Sequence, residues 1–88
     1  MSIESILEER KKTHGDFVSF ARIAQKFKDL LNQPDAPLTS VQREALEMIT
    51  HKIARILNGD PNHKDHWDDI AGYATLVSNQ LKSITDGN

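Results

Sequence analysis

TSVQREALEMITHKIARILNG, the run from Thr39 to Gly59, decides the fold. Thr39 followed three residues later by Gln42 is a capping-box pattern, in which each side chain satisfies a backbone N–H that a helix start leaves without a partner. Behind it Ala45, Leu46, Ile49, Ile53 and Ile56 recur every three or four residues. At ~100° per residue that spacing draws one apolar stripe along a helix. Gly59 closes the run with the residue type that most readily adopts a left-handed C-terminal cap. The reading is one long amphipathic helix over residues 40–58.

Working outward, residues 32–38 carry Pro34 and Pro37, which remove backbone donors and disfavour helix in the residues before them. Upstream of this loop Asp16 is a natural N-cap for a helix over 16–32, with Phe17, Phe20, Ala24, Phe27 and Leu31 in one stripe widened by Ile23 and Leu30. Ser2 caps a first helix over 3–12, interrupted by Thr13, His14 and Gly15. That junction is suited to placing His14 or Asp16 at the mouth of a bundle. Downstream, Asp60, Pro61 and Asn62 form a turn, and a fourth helix over 63–84 carries Trp67, Ile70, Ala74, Val77 and Leu81 on one face. Residues 85–88 read as a frayed tail. No internal repeat or period-two stretch intervenes, so the expected fold is all-α: a four-helix, bundle-like single domain over 1–88.

Composition narrows the function. A chain of 88 residues makes one small domain, burying only roughly 60% of its unfolded surface, and completion of its core by oligomerisation is expected. With no cysteine there is no disulfide, thiolate metal site or thiol nucleophile. The net charge of -2 draws neither phosphate backbones nor anionic membranes. The single cationic run, Arg10 to Lys12, follows Glu8 and Glu9 without interleaved aromatic residues, so no nucleic-acid partner is expected. No apolar run approaches ~18 residues, and the N-terminus lacks a basic stretch leading into an apolar one. A soluble, cytoplasmic protein without a membrane partner is the reading.

Two constellations carry possible chemistry. Glu44 and Glu47 stand one turn apart on the third helix, and Asp65, Asp68 and Asp69 cluster at the start of the fourth. Carboxylates from two facing helices are a ligand set for magnesium, a hard cation that takes oxygen donors and keeps sites for substrate phosphates. The same carboxylates fit a solvated face and the favourable N-terminal end of a helix dipole. Lys52 and Arg55 form the second constellation, suited to nucleotide phosphates or to ion pairs with Asp65 and Asp69. Asp65, Asp69, Gly72 and Leu76 share a second face of the fourth helix, which suits a contact with another subunit. His63 and His66 lack a third ligand at a recognisable spacing, and the adjacent His-Asp pair of metal-dependent phosphohydrolases is replaced by Asp65-His66.

Glu9-Arg10, His14-Gly15-Asp16-Phe17, Ala45-Leu46-Glu47-Met48-Ile49, Lys52-Ile53-Ala54-Arg55 and the run Asp65 to Ala74 resemble a small family of bacteriophage and prophage proteins. That family in turn resembles the MazG-like all-α nucleoside triphosphate pyrophosphohydrolases. The superfamily's ExxE pair is similar to Glu44-Ala45-Leu46-Glu47, and its ExxD pair to Asp65-His66-Trp67-Asp68, with Asp69 as an additional candidate. The resemblance implies magnesium on Glu44, Glu47, Asp65, Asp68 and Asp69, with Glu47 and Asp69 as catalytic carboxylates. It further implies Lys52 and Arg55 on the phosphates, a (d)NTP hydrolysed to (d)NMP and pyrophosphate, and a homo-oligomer in the host cytoplasm. Aspartate at the first position of the second pair shortens the reach by a methylene. The alternative is a helical phage protein that binds a nucleotide, a cyclic nucleotide or a host protein without turnover.

Overall fold

The computed structural model describes residues 2–86, and the side chains of 2–83. It is all-helical: α1 (Ile3–His14), α2 (Phe17–Leu31), α3 (Ser40–Asn58) and α4 (Lys64–Asp86), with no strand among the described residues. The first helix runs two residues beyond its expected end, and of the expected tail residues 87–88 lie outside the described residues.

Side chains written into the sequence start three of the helices. The Gln42 N–H donates to Thr39 Oγ1 at 3.1 Å, while the Thr39 N–H donates to Gln42 Oε1 at 3.0 Å, completing the capping box of α3. The Ser5 N–H donates to Ser2 Oγ at 3.1 Å, and the Ser19 N–H to Asp16 Oδ1 at 2.9 Å. This last bond favours the charged carboxylate and holds Asp16 below its usual range. Gly59 ends α3, but with φ of -130° rather than a left-handed conformation. Its lack of a side chain is required by a close neighbour instead.

The long helix α3 is central: α2 packs on one flank and α4 on the other, and the Cα traces of α2 and α4 nowhere approach within 8 Å. Toward α2, Arg43 Nη1 donates to the Leu31 carbonyl at 2.7 Å and to Asn32 Oδ1 at 3.1 Å, closing the C-terminal end of that helix. Toward α4, Lys52 meets Asp69 at 3.0 Å, and Ala45 and Met48 share a groove with Tyr73, Leu76 and Val77. The helix α1 touches α2 and α3 but buries no residue. Among the described residues Ala24, Ala45, Ala54, Thr50 and His66 are the buried ones, and no large side chain is fully enclosed.

The fourth helix differs from expectation in the face it gives to α3. His66 is 2% exposed, with Ile70, Tyr73 and Val77 half-buried, whereas Trp67, Ala74 and Leu81 of the expected stripe are exposed. Helical spacing reports where a helix is apolar, not which neighbour covers it. Trp67 keeps its ring nitrogen bonded, donating to the Pro61 carbonyl at 2.9 Å.

Candidate functional site

At one end of the molecule the α1–α2 connection crosses the α3–α4 connection, and both supply a glycine. Gly15 has φ of +76°, and a Cβ there would overlap the Asn58 carbonyl; a Cβ on Gly59 would overlap the Thr13 carbonyl. Backbone contact this close leaves room for no other residue. The crossing is tied by hydrogen bonds: Asn58 Nδ2 donates to the Asp16 carbonyl at 2.8 Å, and the Asp60 N–H to that of Thr13 at 3.1 Å. His66 Nε2 lies 3.3 Å from the same Thr13 oxygen, in the geometry of a donated N–H.

Three imidazoles gather against the crossing. The His66 ring centroid is 4.9 Å from that of His14 and 4.7 Å from that of His63. Burial pushes His14 down to about 4, helped by the positive charge of Arg55. Burial also lowers His66, against the raising effect of its bond to Thr13. Both rings are neutral at neutral pH.

Beside them, a cleft of about 620 Å³ opens between the end of α1 and the start of α2. Arg10 and Lys11 line it from α1, Phe17 and Phe20 from α2, and Arg55 from α3. The Arg55 guanidinium carbon sits 5.2 Å from the centroid of the Phe20 ring, which is 5.8 Å from Phe17. Among the described residues the ion pairs are Lys12–Glu9, Lys52–Asp69, His63–Asp65 and Lys64–Asp68, so Arg10, Lys11 and Arg55 stand in no ion pair within 4 Å. Burial, and then the charge of Arg10, lowers Arg55 from the usual arginine range. Glu8 and Asp16 line the cleft as well, so three cations face two carboxylates there, and the excess of positive charge beside flat apolar rings suits a planar, anionic ligand.

The structure divides the residues expected to act together. Arg55 enters the cleft, while Lys52 turns to Asp69, whose carboxyl it holds below the usual range by hydrogen bonding. Asp68 receives Lys64 Nζ at 2.7 Å, and Asp65 lies 3.8 Å from His63. Glu44 is exposed beside the α3–α4 groove and Glu47 is half-buried near His51. Among the described residues no three His, Asp or Glu side chains form a group that could hold a metal ion.

Sequence reading singled out Arg55 and the mouth position of His14, but not Arg10, Lys11, Phe17 or Phe20 as partners in one site. Their signal is the two-residue link Gly15-Asp16. A connection that short forces the last turn of α1 and the first turn of α2 to share one corner.

A family model for a domain of unknown function, DUF6378, matches residues 2–81. The chain belongs to the DUF6378 family. The match spans α1, α2, α3 and most of α4, so the crossing and every cleft residue named above are parts of the DUF6378 domain. No curated protein and no solved structure matches this DUF6378 chain. None of its described helices is long and apolar enough to cross a membrane.

Proposed function

We propose that the chain binds a nucleotide in the cleft between α1 and α2 without turning it over, and that its working unit is a homo-oligomer. The observation that carries the binding reading is Arg55 lying over Phe20 at 5.2 Å, with Arg10 and Lys11 lining the same cleft, the three cations outnumbering its two carboxylates, Glu8 and Asp16. Arginine offers phosphate a planar fork of donors and lysine a point charge. Phe17, 76% exposed and adjacent to Phe20, offers a platform on which a base can stack, a contact worth ~1–3 kcal/mol. Those two features recognise the two ends of one nucleotide. In the phage setting that the resemblance implies, such a protein sequesters a nucleotide or a cyclic nucleotide signal.

MazG-like hydrolysis needs Glu44, Glu47, Asp65, Asp68 and Asp69 gathered on magnesium. Two of these are already engaged by lysines, which favours binding over turnover. The test is calorimetry with a panel of (d)NTPs and cyclic nucleotides, run beside an assay for magnesium-dependent pyrophosphate release. Binding lost in Arg55→Ala, with no pyrophosphate formed, supports the proposal. Turnover that falls when Glu47→Gln and Asp69→Asn are combined replaces it with hydrolysis. Absence of any nucleotide heat across the panel overturns it.

The homo-oligomer reading is supported by large apolar side chains left open on α4: Leu76 is 65% exposed and Trp67 54%.

A further inference from the structure

The chain exposes more of itself than a folded protein of its mass does. Its accessible surface is 6415 Å², whereas a folded monomer of 9.9 kDa has about 5,200 Å². The Cα radius of gyration is 15.6 Å, against about 12 Å for a compact domain of 88 residues. The excess of about 1,200 Å² per chain matches what one partner contributes to an obligate homodimer interface.

Part of the exposed apolar surface is gathered on one side of the fold, where Leu46, Leu57, Trp67 and Leu81 are all exposed. On α3 the side toward α2 is given by Arg43 and Asn58, and the side toward α4 by Met48 and Lys52. At ~100° per residue, Leu46, Ile49, Ile53 and Leu57 fall on a third side, opposite the charged row of Glu44, Glu47, His51 and Arg55. The groove that Leu76 shares with Glu44 lies on that charged side, so Trp67 and Leu81, across α4 from Leu76, lie beside the apolar stripe. Helices laid side by side with one apolar face need a second layer over it. Leu57 at 64% and Trp67 at 54% exposure are left uncovered.

We infer that a second copy of this chain docks on the face formed by Leu46, Ile49, Ile53 and Leu57 of α3 with Trp67 and Leu81 of α4. The occupant is the chain itself because the shortfall is in the core. Among the described residues no large side chain is fully buried in one copy, so the covering layer must be present whenever the protein is folded. The face carries no charge on α3, so two copies related by a two-fold axis bring no like charges together there. The inference rests on the homo-oligomer reading and not on the nucleotide reading. It leaves the α1–α2 cleft, which lies on the Arg55 side of the layer, open in the dimer.

The test is sedimentation equilibrium of the full chain at micromolar concentration together with alkylation of single cysteines, which the natural chain lacks. The expected mass is twice 9.9 kDa. Leu57→Cys is expected to react at least tenfold more slowly than Val18→Cys, although the two native side chains are 64% and 68% exposed in one chain. Leu57→Glu, at a position a monomer would tolerate, is expected to shift the mass toward 9.9 kDa, and Leu7→Glu on α1 to leave it unchanged. A monomer throughout the micromolar range overturns both the homo-oligomer reading and this face. A dimer in which the two cysteines react alike overturns the face alone.

Discussion

His66 and Thr13, 53 positions apart, meet where His66 Nε2 reaches the Thr13 carbonyl at 3.3 Å, and the histidine that makes this contact is 2% exposed. Replacing His66 by alanine removes a hydrogen bond and leaves a cavity where His14 and His63 now pack. We expect the unfolding free energy to drop by about 2–3 kcal/mol, measured by urea titration. His66→Gln, which restores a donor, is expected to recover part of the loss.

Acid is expected to weaken the fold before it protonates the capping carboxylates. His14, His66 and His51 are lowered in the folded state, His14 from 6.5 to about 4, so the unfolded chain takes up more protons as pH falls. Their contribution is complete above about pH 6.5 and is lost on acidification toward 4. Asp16 and Asp69 are held below 3.8, so their contributions persist through that window. The thermal midpoint should therefore fall by several degrees between pH 7 and pH 5, and His14→Phe should flatten the dependence.

The glycines separate into two kinds. Gly15→Ala combines a left-handed backbone with overlap on Asn58, and Gly59→Ala overlaps Thr13; each is expected to cost more than about 2 kcal/mol or to prevent folding. Gly72→Ala meets nothing within 4 Å and should stabilise the chain by about 1 kcal/mol, the helix-propensity difference. Gly72 lies across α4 from the Trp67 and Leu81 face, so the gain should be the same at every protein concentration, which thermal melts over a range of concentrations would check.

A bound phosphate changes the field at His14. The charges of Arg55 and Arg10 help depress its pKa to about 4, and an anion between them offsets that effect. Titration followed by nuclear magnetic resonance should show the His14 midpoint rising in the presence of the nucleotide. Arg55→Ala should weaken nucleotide binding at least tenfold, with Arg55→Lys recovering only part, because the planar fork is lost.

Lys52 and Asp69 form a pair that binds no ligand on this reading. Lys52→Met and Asp69→Asn should each lower the thermal midpoint slightly, and the double variant no further than either alone. Nucleotide affinity should be unchanged in all three. Loss of affinity in Lys52→Met would move the phosphate site from the α1–α2 cleft toward α4.

Much of the fold was legible where the signal is local. Thr39 with Gln42, Asp16 and Ser2 each bond a backbone amide three residues away, and such caps are read from sequence because their partners are near in sequence. The face of α4 was not legible, since the exposure of Trp67 depends on where α3 lies. Nor was the role of Gly59, whose φ is ordinary; what it needs is room for Thr13. Arg55 could be singled out as a cation, but its separation from Lys52 follows from the side of α3 on which each emerges, which only the positions of α2 and α4 define. The three-histidine group joins residues from two helices and a turn to a backbone oxygen, and no spacing encodes such a contact.

The crossing of the two connections also orders the folding of the chain. Helices and caps form from neighbours, whereas Asn58 must find Asp16 across 42 positions and His66 must find Thr13 across 53. Loop closure over such spans is costly until α3 exists as a rigid strut between them. Formation of α3 is therefore expected first and closure of the crossing last. Substitutions along α3 are expected to slow refolding, and those at Thr13 or Asp60 to speed unfolding.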